Sequence, residues 1–408
     1  MKNDVIIIGG GAAGLCAAVA LKKKSPRLSV RLLEAMPRVG KKLALTGNGR
    51  CNITNRDIKP GRYHGKNPEF CRYALEKYSG YETESFFSGI GVSFSYEGEK
   101  AYPASFQAAS VVDCLRFAAD EAGVIVMTET KVTKIQTSGG LFKVIAGNMN
   151  FMAENVIVAA GLLSGGDRLG CDGEMLELLK KAGFKAVKLK PAIVQLKTET
   201  DTVKQLKGIK TDALVTLEKD GKMLKSDFGE VLFCDYGLSG PPVLQVSGAL
   251  PENPAGCTVS LDLYPDISAE ELADILFKRA KNLGARQLDE FFTGMLNKRL
   301  GQVILKAAGL KLSDYVSSLD SGSVLKTADF LKKFRFNVTG TTGFLNSQVT
   351  SGGLDTSQFD SKTMMSRECP GLYAIGEILD IDGDCGGFNL QWAWSSALCA
   401  ADAITGRK

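Results

Sequence analysis

The residues best suited to chemistry lie near the start of the chain, where Gly9, Gly11 and Gly14 follow a continuous apolar strand. Their Gly-x-Gly-x-x-Gly spacing, opening a predicted helix, is typical of dinucleotide-binding proteins. Gly9 permits a tight turn, Gly11 lets a pyrophosphate approach the backbone, and Gly14 lets the helix pack closely on the strand. The pattern predicts that phosphates bind at the helix N-terminus, beside Ala12 and Ala13.

Glu34 ends the second predicted strand, Ser29–Leu33, and stands twenty residues beyond Gly14. An acid at this position of the fingerprint accepts hydrogen bonds from the hydroxyl groups of an adenosine ribose. Strand, glycine turn, helix, strand and acid occur in the correct order. The sequence therefore predicts a Rossmann-like unit rather than an isolated glycine turn.

A loop without helical or strand periodicity follows Glu34 and runs to Asn55. Its basic side chains can oppose phosphate charge, and its threonine, glycine and asparagine residues can supply hydrogen bonds. Loops of this length in compact domains are usually functional, so we expect this loop to wrap the dinucleotide. Its candidate cofactor contacts are Ala35, Arg38, Lys42, Thr46, Gly47 and Asn52.

Two further segments are candidates for the same site. Val132 lies in a predicted strand, Lys131–Thr137, and a strand beside the first two would bring its backbone to the adenine edge. Ala160 and Gly161 lie at the exit of another predicted buried strand, Phe151–Ala160. Small residues there permit close approach of backbone to ligand.

The C-terminal part of the chain contains a second strand, glycine loop and helix start. The predicted strand Leu372–Ile375 precedes a glycine-rich turn and a predicted helix, Leu390–Ile404, for which Asn389 is a favourable N-cap. A dinucleotide held from both ends of the chain suits a flavin better than a nicotinamide, because the fingerprint holds the adenine half and the C-terminal element holds the ring. The candidate contacts in this part are Gly376, Glu377, Gly387, Phe388 and Asn389.

The pattern of apolar, glycine and proline residues along the chain changes near residue 188 and again near residue 335. Between them, short alternating strands with glycine and proline punctuation predict a small barrel or sandwich, and the capping box Ser268–Glu271 opens a run of helices. We expect an α/β fold in which 1–187 and 336–408 form one domain and 188–335 forms an inserted β-barrel and helical domain. We also expect a cleft lined by three candidate catalytic residues, Asp235, Tyr236 and Arg50.

Composition and residue spacing argue against a nucleic-acid-binding protein, a metal site and a membrane span. The 50 basic and 45 acidic residues are spread along the chain, so the net charge of +5 indicates no concentrated basic surface of the kind that nucleic acids require. The ten cysteines include no Cys-x-x-Cys pair, and no metal site is predicted. No stretch of eighteen apolar residues occurs and no charged and apolar leader precedes the first strand. We therefore expect a cytoplasmic protein without a membrane span.

The sequence resembles the HI0933-like or BaiN-like family of bacterial FAD-dependent oxidoreductases over nearly its whole length. The resemblance rests on the segments Val5–Gly14, Gly40–Asn55, Gly237–Pro241, Pro370–Gly383 and Gly386–Ser396. It implies a Rossmann-like FAD-binding domain of the glutathione-reductase type with an inserted β-barrel plus helical domain. The residues that it implies in FAD contact are Gly9, Gly11, Gly14, Glu34, Asn52, Gly376, Glu377, Gly387, Phe388 and Asn389.

The leading hypothesis is an oxidoreductase that uses tightly bound FAD to transfer a hydride to or from a small organic substrate. No second Gly-x-Gly-x-x-Gly motif occurs, so NAD(P)H, if used, is expected to bind transiently near the flavin. Two alternatives remain: a flavin-dependent tRNA-modifying enzyme, which requires a concentrated basic surface, and a non-enzymatic flavin-binding sensor. A nucleic-acid partner is not expected, and the sequence leaves the oligomeric state open.

Overall fold

The computed structural model describes residues 2–406, apart from the side chains of Lys2 and Ser138. The chain divides into two compact units. The first combines the residues up to Pro191 with those from Ser347 onward, and the second is Ala192–Asn346.

The bounds of the second unit differ from the 188–335 expected from the residue pattern of the sequence. The strand Phe334–Thr341 crosses residue 335 and pairs with Cys257–Asp262 and Leu196–Thr198 within the second unit. At the other end, Ala186–Ala192 pairs with Val349–Leu354, which keeps residues 188–191 in the first unit. Both boundaries depend on strand pairing between segments distant in sequence, and the local residue pattern does not reveal such pairing.

A seven-stranded sheet forms the centre of the first unit. Lys2–Ile8 lies in its interior, parallel to Val30–Leu33 on one side and to Met149–Val158 on the other. The side chains from Val5 to Ile8 are at most 4% exposed, as expected for an apolar strand covered on both faces of a parallel sheet. The other strands of this sheet are Ile125–Met127, Lys134–Ser138, Leu141–Ala146 and Leu372–Ala374.

Helices and smaller sheets complete the first unit. Ala12–Lys24 packs beside Phe388–Thr405, a helix that is buried on nearly all sides and is therefore part of the core. The remaining helices of the unit are Thr46–Gly49, Arg72–Lys77, Gly80–Ser88, Ala108–Glu121 and Glu174–Lys181. The short strands are Thr54–Asn55, Tyr63–His64, Phe94–Glu97, Lys100–Pro103 and Asp382–Gly383.

The second unit is a closed barrel accompanied by helices. The capping box at the start of Ala269–Leu283 is confirmed, since Ser268 Oγ accepts from the Glu271 N–H at 3.1 Å and the Ser268 N–H donates to the Glu271 carboxylate at 2.9 Å. The other helices are Thr200–Gln205, Pro241–Ser247, Lys298–Ala307 and Ser321–Lys332. The barrel strands, in spatial order, are Leu196–Thr198, Gly237–Ser239, Lys222–Cys234, Lys210–Lys219, Cys257–Asp262 and Phe334–Thr341. The expected fold class, a Rossmann-like α/β domain with a β-barrel and helices, is confirmed.

Candidate functional site

The carboxyl ends of four parallel strands meet at one edge of the central sheet. These strands end at Ile8, Leu33, Val158 and Ala374. Each is followed within three residues by candidates from the sequence. Ligands of open α/β sheets bind outside the carboxyl ends of the strands, so residues from both ends of the chain converge where this fold binds ligands.

The three glycines of the first turn have different surroundings. A Cβ atom on Gly9 would lie 2.5 Å from the carbonyl oxygen of Ala159, and one on Gly14 would lie 1.9 Å from the carbonyl oxygen of Gly9. Backbone packing alone therefore requires glycine at both positions. A Cβ on Gly11 would meet no described residue within 4 Å. The space beside Gly11, at the N-terminus of Ala12–Lys24, can admit the phosphates of a ligand.

Glu34 lies beside this turn and is anchored by two backbone donors. The Gly10 N–H donates to Oε2 at 2.6 Å, and the Met36 N–H donates to Oε1 at 2.8 Å. Each carboxylate oxygen keeps a further lone pair. The carboxylate is thus fixed in place and still able to accept ribose hydroxyl groups.

Val132 is buried, but it precedes the strand Lys134–Ser138 instead of lying within it. The strand beside the second strand of the sheet is Ile125–Met127, so the expected strand geometry of Val132 is wrong. The segment nevertheless passes the ribose acid, because the Thr130 N–H donates to the carbonyl oxygen of Glu34 at 2.8 Å. A contact between Val132 and adenine stays a prediction.

The loop after Glu34 is built from turns. Ala35 and Arg38 are exposed. The Thr46 hydroxyl donates to the carbonyl oxygen of Leu43 at 2.7 Å, and Gly47 has a φ of +57°. This hydroxyl thus bonds within the loop while retaining lone pairs for a ligand. The cofactor contacts of these residues stay predictions.

Lys42, Ser164, Thr350 and Glu377 form a hydrogen-bonded network. Lys42 Nζ pairs with Glu377 Oε2 at 2.6 Å and donates to Ser164 Oγ at 3.2 Å. Ser164 Oγ and the Thr350 N–H both donate to Glu377 Oε1, each at 2.7 Å. One carboxylate therefore links the N-terminal loop, the segment after the third parallel strand, and two parts of the C-terminal segment.

Sequence reasoning found Lys42 and Glu377 but missed Ser164 and Thr350. Ser164 follows a predicted strand exit at the same sheet edge, which is a usable signal, whereas no motif marks Thr350. Among the other candidates, Gly161 lies close to the network, since a Cβ on it would be 3.8 Å from Glu377 Oε2.

The glycine turn after the first strand lies near four small candidate residues, which are Ala12, Ala13, Ala160 and Gly376. A Cβ on Gly376 would lie 3.0 Å from the Cβ of Ala13, and the φ of Gly376 is +70°. Ala12 and Ala160 are each partly exposed. The first helix and the C-terminal loop thus approach closely only because position 376 is glycine.

Asn52 carries an unusual buried atom. The residue is 8% exposed, and its Oδ1 has no hydrogen-bond partner within residues 2–406. A Cβ on Gly387 would lie 2.8 Å from this oxygen, and the φ of Gly387 is +97°. Leaving a buried acceptor unsatisfied costs about 1–3 kcal/mol. The atom indicates a donor supplied by a ligand, and a flavin ring carries such an N–H group.

The last helix begins at Phe388, with Gly387 as its N-cap, so the prediction that Asn389 caps it is wrong. The left-handed Gly387 completes the turn two residues earlier and leaves Asn389 inside the first helical turn. Asn389 Oδ1 accepts from the Gly383 N–H and Nδ2 donates to the Gly383 carbonyl, both at 2.8 Å. Asn389 therefore clamps the preceding strand to the helix, and the Phe388 ring belongs to the core.

The three candidate catalytic residues belong to different units: Arg50 to the first, Asp235 and Tyr236 to the second. Asp235 is exposed and pairs with Lys207 at 2.6 Å, which lowers its pKa. Burial raises the pKa of the Tyr236 phenol above its ordinary value. Arg50 pairs with Glu97 at 2.5 Å. The catalytic assignment of these residues stays a prediction.

Comparison with known proteins identifies the family. Residues 3–403 match the HI0933-like protein Rossmann domain. The chain belongs to the HI0933-like family. The resemblance inferred from the sequence is thereby confirmed.

Two curated relatives and one solved structure extend this result. The 3-dehydro-bile acid delta(4,6)-reductase of Clostridium scindens is 33% identical over 408 residues, covering 99% of this chain and 100% of the relative. The ribosomal RNA dihydrouridine synthase of Haemophilus influenzae is 30% identical over 410 residues, covering 99% of this chain and 98% of the relative. The solved structure of the 3-ketosteroid-delta4-(5alpha)-dehydrogenase from Rhodococcus jostii RHA1 matches with a TM-score of 0.51 and 15% identity. The match covers 99% of this chain and 97% of the dehydrogenase chain. This last likeness concerns the fold.

The HI0933-like chain is an FAD-dependent oxidoreductase. The expectation of no nucleic-acid partner is not supported, because one relative is named for a reaction on ribosomal RNA. Across residues 2–406, none of the helices combines the length and apolar character needed to cross a membrane.

The residues present fit FAD on three observations. Gly11 has open space beside it, Glu34 keeps free lone pairs next to that space, and Asn52 holds an unpartnered acceptor at the C-terminal glycine turn. The first two suit the diphosphate and ribose, and the third suits the ring. The adenine half would thus be held at the turn near Gly11 and Glu34, and the flavin half where Asn52 meets the C-terminal glycine turn at Gly387.

Proposed function

We propose that this flavoenzyme reduces C=C bonds conjugated with a carbonyl group in small organic molecules, with NAD(P)H as a transient reductant. Bound FAD would supply the two-electron chemistry of the reaction, in which a hydride equivalent from NAD(P)H reaches the substrate carbon β to the carbonyl. A proton added at the α carbon completes the conversion of the double bond to a single bond. One observation carries the proposal: two relatives matched over nearly their whole length have names that describe hydrogenation of a ring double bond conjugated with a carbonyl.

We assign the cofactor as follows. The Gly11 turn would hold the diphosphate and Glu34 the ribose, because the first is open and the second is fixed with free lone pairs. The network of Lys42 and Glu377 would present hydroxyl and carboxylate groups to the linker between the two halves. Asn52 would accept a hydrogen bond from the ring and thereby set its orientation.

The reduction needs a proton donor, and the two catalytic candidates of the second unit that the sequence named, Tyr236 and Asp235, differ in how readily they can give a proton. A tyrosine hydroxyl carries its proton at neutral pH and an aspartate does not; burial raises the pKa of Tyr236 further, and the ion pair with Lys207 lowers the pKa of Asp235 further. Tyr236→Phe should slow reoxidation of the reduced enzyme by substrate at least tenfold, an effect within the range for general acids. Reduction by NAD(P)H should keep its rate. Slowing of both half-reactions alike would contradict the assignment.

The function is tested with anaerobic protein whose flavin absorbance is recorded. NADH and NADPH are added separately, and the reduced enzyme is then mixed with a 3-oxo-4,6-diene steroid, a simple cyclic enone, or the matched saturated ketone. Flavin bleaching by a pyridine nucleotide and reoxidation by the conjugated ketones alone are expected. A uridine-containing RNA is the fourth oxidant, because uracil also has a conjugated C=C bond. Reoxidation by RNA alone would contradict the small-molecule proposal, and reoxidation by none of the four would contradict C=C reduction.

A further inference from the structure

A three-stranded sheet in the first unit has two chemically different faces. Its strands are Thr54–Asn55, Lys100–Pro103 and Phe94–Glu97. Directly paired residues of antiparallel strands lie on the same face, and Lys100 pairs with both Asn55 and Glu97, while Tyr102 pairs with Ser95. The residues of this face, called here the Lys100 face, are Asn55, Ser95, Glu97, Lys100 and Tyr102.

The Lys100 face adjoins the glycine turn before the last helix. A Cβ on Gly386 would lie 3.5 Å from Cε of Lys100 and 3.7 Å from Nδ2 of Asn55. Asn55 Nδ2 also donates to the Gly386 carbonyl oxygen at 2.9 Å. A cation therefore lies beside the turn that is proposed to receive the flavin ring.

Arg50 extends this cationic region. Its guanidinium carbon lies 4.5 Å from the ring centroid of Tyr102 and 4.6 Å from that of Phe106. The two rings orient the guanidinium by cation–π attraction. Its outward fork pairs with the carboxylate of Glu97, and the two side chains are 39% and 50% exposed. Solvent, and thus a ligand, can reach this fork.

Two residues next to Arg50, one in sequence and one in space, have strained backbones. Cys51 follows it with a φ of +57°, and Phe106, which contacts its guanidinium, has a φ of +51°. Left-handed conformations are unfavourable for residues with a Cβ atom, and they cluster at ligand sites. The guanidinium is thus held by the fold at some cost to the surrounding backbone.

We propose that Arg50 and Lys100 bind the carboxylate of a small anionic substrate and thereby direct its conjugated bond toward the flavin. The hydrogen bond that Arg50 donates to Glu97 shows that this guanidinium can bind a carboxylate at this position. An exposed ion pair contributes little to stability, so a substrate carboxylate can replace Glu97 easily. This inference rests on the proposed reductase function and specifies the class of its substrate.

A single carboxylate fits this region better than a nucleic-acid backbone. The hairpin that carries Lys100 also carries Glu97 and Glu99, so these two acids balance the charges of Arg50 and Lys100. Nucleic acids bind through several phosphates in a positive field, which these acids would oppose. A small monoanion needs only one fork and one nearby ammonium group.

The test compares a 3-oxo-4,6-diene bile acid with its methyl ester, using the FAD-loaded enzyme. Arg50→Gln should raise the KM ratio of acid to ester about tenfold, as expected for loss of a charge-assisted hydrogen bond, and Arg50→Lys should restore part of the difference. Lys100→Gln should raise the ratio about threefold, since its ammonium is more exposed. Glu97→Gln should lower the ratio about threefold, because it removes a competing carboxylate. Flavin absorbance titrations give the corresponding ratio of dissociation constants whether or not turnover occurs.

Arg56→Gln is the matched control. Arg56 directly follows the strand Thr54–Asn55. Its guanidinium carbon lies 3.8 Å from the ring centroid of Tyr96 on the opposite face of the sheet, and its Nε lies 3.7 Å from the Glu84 carboxylate. The Arg56→Gln substitution removes one positive charge and one ring contact, as Arg50→Gln does, but away from the Lys100 face. The KM ratio of acid to ester should therefore stay at the wild-type value.

The outcomes separate the two proposals. Reduction of neither compound, together with no reoxidation by the simple cyclic enone, would overturn the reductase function, while the ratio of dissociation constants would still decide the carboxylate site. Wild-type ratios in the Arg50, Lys100 and Glu97 variants would overturn the site and leave the reductase function standing. An equal fall in kcat for acid and ester in Arg50→Gln, with unchanged KM, would assign Arg50 to catalysis instead. Lys100-dependent binding of a uridine-containing RNA in preference to the acid would overturn the choice of a small carboxylate.

Discussion

Two glycine-to-alanine substitutions in the first turn should separate cofactor binding from folding. A Cβ on Gly11 would meet no described residue within 4 Å, whereas a Cβ on Gly14 would lie 1.9 Å from a backbone oxygen. The Gly11 backbone, at φ −79° and ψ −165°, is one that alanine adopts freely. Gly11→Ala should therefore disturb only a bound ligand, and Gly14→Ala should disturb the fold itself.

The magnitudes follow from these environments. In Gly11→Ala, a gain of about 0.4–1 kcal/mol from the smaller entropy of the unfolded chain is offset by a similar loss from a poorer N-cap. The net change in unfolding free energy should stay within about 1 kcal/mol. In Gly14→Ala, the helix must move away from the turn, at a cost of about 3 kcal/mol or more. FAD binding to Gly11→Ala should weaken at least tenfold, or by about 1.4 kcal/mol.

Urea unfolding of the flavin-free proteins gives the stability, and titration with FAD gives the dissociation constant. Wild-type FAD affinity in Gly11→Ala would refute the phosphate cradle. A loss of stability in Gly11→Ala as large as that in Gly14→Ala would mean that Gly11, too, serves packing. The first result would require the diphosphate to bind elsewhere along the sheet edge.

Three further predictions concern single side chains. Glu34→Ala should weaken FAD binding about ten- to hundredfold by removing charge-assisted hydrogen bonds; an unchanged dissociation constant would mean that Glu34 only holds the turn. Asn389→Ala should lower the unfolding free energy of the flavin-free protein by about 1–3 kcal/mol, because the Gly383 N–H loses its acceptor, and a smaller change in urea titrations would contradict the clamp. Lys66 bonds Asp355 and lowers the pKa of Asp355 to about 2. The stabilisation, small because the lysine is exposed, is complete above the unfolded pKa of about 4 and disappears toward pH 2. Wild type and Lys66→Met should therefore converge in unfolding free energy as the pH falls from 6 to 2.

The parts of the fold that could be predicted have local signals. The buried run from Val5 to Ile8 and the spacing of the glycines define a strand, a turn and a helix within a few residues of one another. The capping box at Ser268 is equally local. The bounds of the inserted unit could not be read this way, because Phe334–Thr341 joins the barrel by pairing with strands far away in sequence.

The Asn389 prediction failed for a related reason. Asparagine favours N-caps, but a residue caps a helix only where the chain enters it. Gly387 adopts the left-handed conformation and fixes that entry point, so Asn389 is free to bond backward to Gly383. Residue preference names the possible roles of a side chain, and the conformation of a neighbour decides between them.

The network around Glu377 marks the limit of prediction from motifs. Its four members come from separate segments, and two of them, Ser164 and Thr350, are common hydroxyl residues without a motif. Each gains a role only because the carboxyl ends of parallel strands meet at one sheet edge. A sequence can therefore specify the cofactor class through the glycine turn near Gly11, while the groups that complete the site depend on chain topology. The same holds for the Lys100 face, since strand register alone separates Lys100 from the opposite face, where Arg56 lies over Tyr96.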